Sequence, residues 1–177
     1  AIDKMIGTFN DYQYFERDSI NLLLSGRQWF WKHFDNLLVH SFNFNFPNII
    51  ASSPKLTIRL LARSPVSSYF SVSAAGTDEI ITINPVSTSS YTSIYANPAI
   101  KTFPLNSSLE NIPVNIVYSK PAANAEGWLD YIIMNAKRQL IFTDGQMPFR
   151  SLESVGTDVI SNFALSGATG KLRIWDI

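Results

Sequence analysis

The stretch 127–149, GWLDYIIMNAKRQLIFTDGQMPF, is the longest apolar-rich run in the chain, and its reading decides the fold. In an extended chain successive side chains point to opposite faces. Trp128, Ile132 and Met134 then share one face, while Leu129, Tyr131 and Ile133 share the other. Both faces carry apolar groups, as in a central strand covered on both sides. Asn135, Ala136, Lys137 and Arg138 bring a polar break, and 140–143 resumes a β-favouring run. Asp144-Gly145 supplies a turn dipeptide tolerant of positive φ. The reading is strand, break, strand, turn. A helix competes for part of it, because Leu129, Ile132, Ile133, Ala136 and Leu140 would fall on one helical face.

Working outward, the same period of two recurs. Phe42, Phe44 and Phe46 alternate with Asn43 and Asn45 until Pro47-Asn48 closes the run, which predicts a strand with one buried and one wet face. Leu56, Ile58 and Leu60 alternate against Thr57 and Arg59. Phe70 and Val72 alternate against Ser71 and Ser73 before Ala75-Gly76 turns the chain. Stretches 79–83, 91–95 and 112–118 repeat the pattern between clusters of Pro, Asn and Ser. Residues 12–16, 20–24, 159–165 and 171–177 are further short candidates, and 167–170 is a turn. Residues 1–11 show no clear period and read as a terminal arm. Residues 27–34 crowd four aromatic rings into a strand or tight corner. Strand after short strand predicts an all-β fold: a two-sheet antiparallel β-sandwich of jelly-roll type, with about eight to eleven strands, spanning 1–177 as one domain.

Composition bounds the function. At 177 residues the chain is long enough to bury a core without disulfides or metals. Lys plus Arg and Asp plus Glu are balanced at 14 each, so nucleic acid and anionic membranes are poor partners. Cys is absent, which excludes thiol catalysis within this chain and is silent on compartment. The longest uncharged run, 80–100, is rich in Ser, Thr, Asn and Pro and is no membrane span.

The candidate chemistry is sparse. His33 and His40, with Asp35 between them, fall short of the roughly four convergent ligands of a structural metal site. Ser25-Gly26 lacks the flanking pattern of a nucleophile elbow. No phosphate-binding glycine loop is present, and no cofactor is implied. Asn106-Ser107-Ser108 has the form of a glycosylation acceptor. Trp29, Phe30 and Trp31 have two readings: packing within the sandwich, or a platform in which Trp29 and Trp31 stack on sugar rings, as in a carbohydrate-binding module. Arg27, Lys32 and Arg138 are candidate cations for an acidic partner, or stems laid along the sheet with solvated heads.

LDYIIMNAKRQL (129–140), read with SGRQWFWKHFD (25–35), FNFNFPNI (42–49) and the terminal IWDI (174–177), resembles the type IX secretion sortases, surface cysteine peptidases related to the gingipains. The resemblance covers nearly the whole chain and falls on the β-rich region N-terminal to the peptidase domain. It favours strand over helix for 129–140. It implies a fragment of a longer exported protein at the outer surface of a Gram-negative bacterium. The catalytic Cys and His are then expected beyond position 177, and no residue here matches them. The implied role is a non-catalytic accessory domain that positions the downstream peptidase domain or offers surface to partner proteins, cargo or lipopolysaccharide. Trp175 and Asp176 are the implied interdomain junction.

Overall fold

The computed structural model describes residues 2–90, 92–143, 145–170 and 172–175. One sheet is built from β2 (Thr8–Glu16), β3 (Lys32–Phe34), β5 (Lys55–Arg63), β8 (Asn97–Pro104) and β10 (Glu126–Gln139). The other contains β4 (Val39–Asn45), β6 (Ser68–Ala74), β7 (Thr77–Ile83) and β9 (Asn111–Ser119). Their orders are β2-β10-β5-β8, with β3 also on β10, and β4-β9-β6-β7. Within both sheets every pairing is antiparallel. From β4 to β6 the chain changes sheet at each step, and from β8 to β10 it does so again. That alternation, closed by the pairing of β2 with β10, is the two-sheet antiparallel jelly roll that the periodicity predicts. β1 (Lys4–Ile6) and β11 (Ser161–Phe163) form a separate parallel pair.

The inner faces of the two sheets supply the core. Phe42, Phe44 and Phe46 are buried and Asn43 and Asn45 exposed, as their alternation requires. They meet Leu56, Ile58 and Leu60 of β5 and Ile132 and Met134 of β10 in one cluster. Gly127 is a glycine because a Cβ there would lie 2.7 Å from Cζ of Phe70. Ser68 Oγ and Tyr118 Oη, both inside the core, satisfy each other at 3.0 Å.

Each open side of the sandwich is clasped by side chains. On one side Gln13 of β2 exchanges two hydrogen bonds with the backbone of Asn45, the amide N–H reaching its Oε1 at 3.0 Å, and so occupies the edge of β4. On the other, Lys101 of β8 meets Glu79 of β7 at 2.5 Å. Edge strands left bare invite pairing with other chains, and these contacts blunt two of them.

Several expectations are corrected. The polar break at 135–138 does not exist: β10 runs unbroken to Gln139, because Ala136 and Arg138 point inward while Asn135 and Lys137 point out. Beyond it, 140–143 makes a single bridge, Ile141 with Ser166. Residues 1–11, expected as a terminal arm, instead hold β1 and the first four residues of β2, among them the fully buried Phe9. Of 20–24 only Ile20 pairs, with Phe30. Residues 92–95 are turn rather than strand, 159–165 shrinks to β11, and 172–175 are not strand. Tyr91, Asp144, Lys171, Asp176 and Ile177 lie outside the described residues. The register between β10 and β5 shifts between Leu129 and Tyr131, a bulge at Asp130. Leu129, not Trp128, therefore shares the inner face with Ile132 and Met134.

Candidate functional site

The outer face of the five-stranded sheet begins with Trp128 and Leu61, too apolar to stand in water. The β2–β3 connection folds over them. Its two limbs are held by backbone bonds, Ser19 and Ile20 N–H to the carbonyl of Phe30 and Phe30 N–H back to that of Ile20 at 2.8 Å. Phe30 is thereby buried against Leu61 and Trp128, with Ile20 and Leu22 alongside, as a second small core.

This placement separates the two tryptophans. Trp29, next to the buried Phe30, is 42% exposed, with exposed Arg27 on the same loop. Trp31 turns the other way: its ring lies 5.3 Å from Phe42 and 6.3 Å from Phe15, and Lys32 Nζ sits 4.5 Å above it. The two rings do not form one platform, because Trp31 packs against the main core while Trp29 alone faces solvent. Arg138 is corrected more sharply. It is 6% exposed, its Nε donates to the Pro47 carbonyl at 2.6 Å, and its Nη1 pairs with Asp11 Oδ2 at 2.6 Å. It is an internal cation over the Phe9 ring, not a surface for an acidic partner. Trp175 is 76% exposed, and Asp176 lies outside the described residues.

The fold gathers groups that sequence reading left apart. His33 stacks on Trp128 at 5.2 Å, nearly parallel, while its Nε2 meets Glu126 Oε2 at 2.8 Å. Tyr95 packs 6.2 Å from Trp128 and carries the Arg63 guanidinium 4.4 Å above its ring. Arg63 also donates to the carbonyls of Tyr95 and Thr88, so one arginine ties down the β7–β8 connection. Asp130, the bulge residue, pairs with Arg59. Burial pushes its carboxyl above the usual carboxylate range, and Arg59 opposes that push. His40 Nε2 bonds to the His33 carbonyl at 3.2 Å, and its ring meets Phe34 edge-on. Among the described residues, no three or more His, Cys, Asp or Glu converge as a metal site. Two shallow depressions, about 190 and 340 Å³, are lined by Ser, Asn, Ala, Pro, Val and Thr; the first includes Asn106, Ser107 and Ser108. No helix of the described residues is long and apolar enough to cross a membrane.

Fold and surface together define a jelly-roll β-sandwich whose polar and aromatic clusters brace its loops. Among solved structures, the chain is similar to dimeric latent PorU from Porphyromonas gingivalis, with a TM-score of 0.69 and 17% identity. The likeness covers 88% of this chain and 15% of PorU, so the chain spans less than a sixth of that protein. Looser overlaps occur with a CBM36 carbohydrate-binding module in complex with calcium and xylotriose, and with the CBM36-1 domain of a multidomain xylanase from the hindgut metagenome of Trinervitermes trinervoides. These have TM-scores of 0.39 and 0.37 and identities of 9% and 14%. They cover 54% of this chain and 71% and 68% of those modules. No family model and no curated protein matches the sequence.

Proposed function

We propose that this chain is a non-catalytic accessory β-sandwich of a larger cysteine peptidase, a type IX secretion sortase of the PorU kind, exported to the outer surface of a Gram-negative bacterium. The observation that supports this reading is the jelly roll itself, which overlays nearly the whole of this chain on a small part of PorU. In this reading the peptidase domain follows on the same polypeptide, and Trp175 and Asp176 lead into it. The sandwich acts as a rigid spacer: β10 alone, at 14 residues, is about 46 Å of continuous strand. It holds the peptidase domain at a fixed orientation and leaves Arg27 and Trp29 exposed as contacts for partner proteins, cargo or lipopolysaccharide. A thiolate and a neighbouring base are needed for cysteine catalysis, and the catalytic pair lies outside this chain.

The test is deletion of this segment from the full-length protein, with cargo maturation as the readout and proteolytic resistance of the peptidase domain as the check on folding. Loss of maturation with an intact peptidase domain is expected. Normal maturation after the deletion, or peptide cleavage by this chain alone, would overturn the assignment.

A further inference from the structure

The outward face of the four-stranded sheet differs sharply in charge from that of the five-stranded sheet. Along the outward positions of β4, β9, β6 and β7 the side chains are Ser, Asn, Thr, Pro, Val, Ile and Tyr, and Asp78 is the sole charged one. A row in register crosses all four strands, apolar except at Ser71: Val39 beside Val117, then Ser71, then Ile80, with Tyr69 next to them. The polar groups around the row already pair with one another, Ser41 Oγ with Asn115 Oδ1 at 2.7 Å and Asn45 Nδ2 with Asn111 Oδ1 at 2.6 Å. By contrast the outer face of the five-stranded sheet carries Glu16, Lys55, Arg59 and Lys137, and the β2–β3 connection covers part of it. A face with one charged side chain at its margin, and with two of its polar pairs already hydrogen-bonded, loses less on leaving water than a charged one.

We propose that this face docks the sandwich onto an uncharged surface of an adjoining domain in the same polypeptide. The proposal rests on the accessory-domain reading and adds the face through which positioning is achieved. Size decides the occupant. Four strands about 4.8 Å apart and about seven residues long present roughly 450 Å² of projected area, or about 900 Å² counting both partners. That is below the roughly 1,200–2,000 Å² of a complex between separate molecules. It falls within the roughly 600–1,500 Å² of contacts between linked domains, which are also more polar. A tether supplies the rest, because it raises the effective concentration of the partner to about millimolar.

Hydroxyl-radical footprinting of the full-length polypeptide tests this within one molecule. Tyr69 on the proposed face and Tyr14 on the opposite sheet are 44% and 59% exposed in the sandwich, so they should react comparably when both are free. Docking predicts several-fold slower labelling of Tyr69, Val117 and Ile80 than of Tyr14 and Ile100. The outward substitution Ser71→Glu should restore labelling of Tyr69, while Thr102→Glu on the other sheet should not; circular dichroism verifies that both variants keep their sheets. Equal labelling of the two faces, or protection of Tyr14 instead, overturns the proposal. Protection that disappears on dilution assigns the face to a second copy, and protection that appears only with added neutral polysaccharide assigns it to a glycan; either result also overturns it. Normal maturation after deletion of the segment, together with protection of Tyr69 in the undeleted protein, would remove the functional reading and leave the docking face standing.

Discussion

His40 is the residue whose surroundings make the clearest statement about pH. Burial beside Phe34 holds its pKa below the ordinary value of about 6.5; the bond to the His33 carbonyl acts the other way, and the Lys32 charge adds to the lowering. The unfolded chain then takes up this proton at a higher pH than the folded one. The neutral ring therefore contributes stability that is present above about pH 6.5 and is lost as pH falls through the folded pKa. We predict that urea midpoints fall between pH 7 and pH 5 and that His40→Gln flattens part of that fall, a part kept small because the ring is partly solvated. An identical pH dependence in the variant would show that other groups carry it. Residues differ in how far such roles can be read beforehand. Phe42, Phe44 and Phe46 were legible because a strand's own alternation fixes which side is buried. Arg138 was not, since its partner Asp11 stands 127 residues earlier and only the closure of the sheet brings them together. His33 and Glu126 are separated in the same way.

Elements were legible where turn chemistry and alternation agreed. The β6–β7 hairpin is the clearest, with Ala74 paired to Thr77 across Ala75-Gly76. Both turn residues have positive φ, 49° and 75°, as a two-residue turn that matches strand twist demands. Gly76 accepts that conformation freely, but Ala75 is strained in it, at about 1–2 kcal/mol for an ordinary L-residue. Asn tolerates it better, so Ala75→Asn should raise stability by about 0.5–1 kcal/mol. In a chain of this size that moves the melting temperature by about 2–4 °C for each kcal/mol, a shift that calorimetry resolves. An unchanged or lower melting temperature would mean that the turn is not the strained point its dihedrals indicate. The bulge at Asp130 shows the opposite case. Alternation counted along β10 alone put Trp128 on the face of Ile132, but the extra residue that reverses it is fixed by the register of β5, which periodicity within one strand does not contain. Residues 135–138 were misread for a related reason: a strand buried on its inner face tolerates Lys137 pointing outward and Arg138 pointing inward once Asp11 neutralises it.

For the molecule as a whole, the jelly roll closes only when the first long strand meets the last. β2 pairs with β10 over nine residues, from Glu16 with Tyr131 to Thr8 with Gln139, more than a hundred positions apart in sequence. Contacts so distant in sequence are formed against a large loss of chain entropy, which places such folds in the roughly millisecond-to-second range or slower. They also make the N-terminal residues structural, although their lack of periodicity suggested an arm. Removing residues 1–11 would take away Phe9, buried completely, and Asp11, the partner of Arg138. A buried Phe is worth about 3–5 kcal/mol, and a buried cation stripped of its partner costs about 3–5 kcal/mol more. Against a total of about 5–15 kcal/mol the truncated chain should not hold its fold at ordinary temperatures. The last four residues of β10, 136–139, would also lose their β2 partners and be left with a bare backbone edge, an invitation to intermolecular pairing. We therefore predict that this truncation aggregates, seen as rising light scattering and loss of a cooperative melt, whereas removal of residues 1–3 alone leaves the sandwich intact. If the 1–11 deletion instead stayed monomeric and melted as the full chain does, residues 8–11 would be a dispensable arm after all, and their pairing with residues 136–139 of β10 could not be part of what stabilises the molecule.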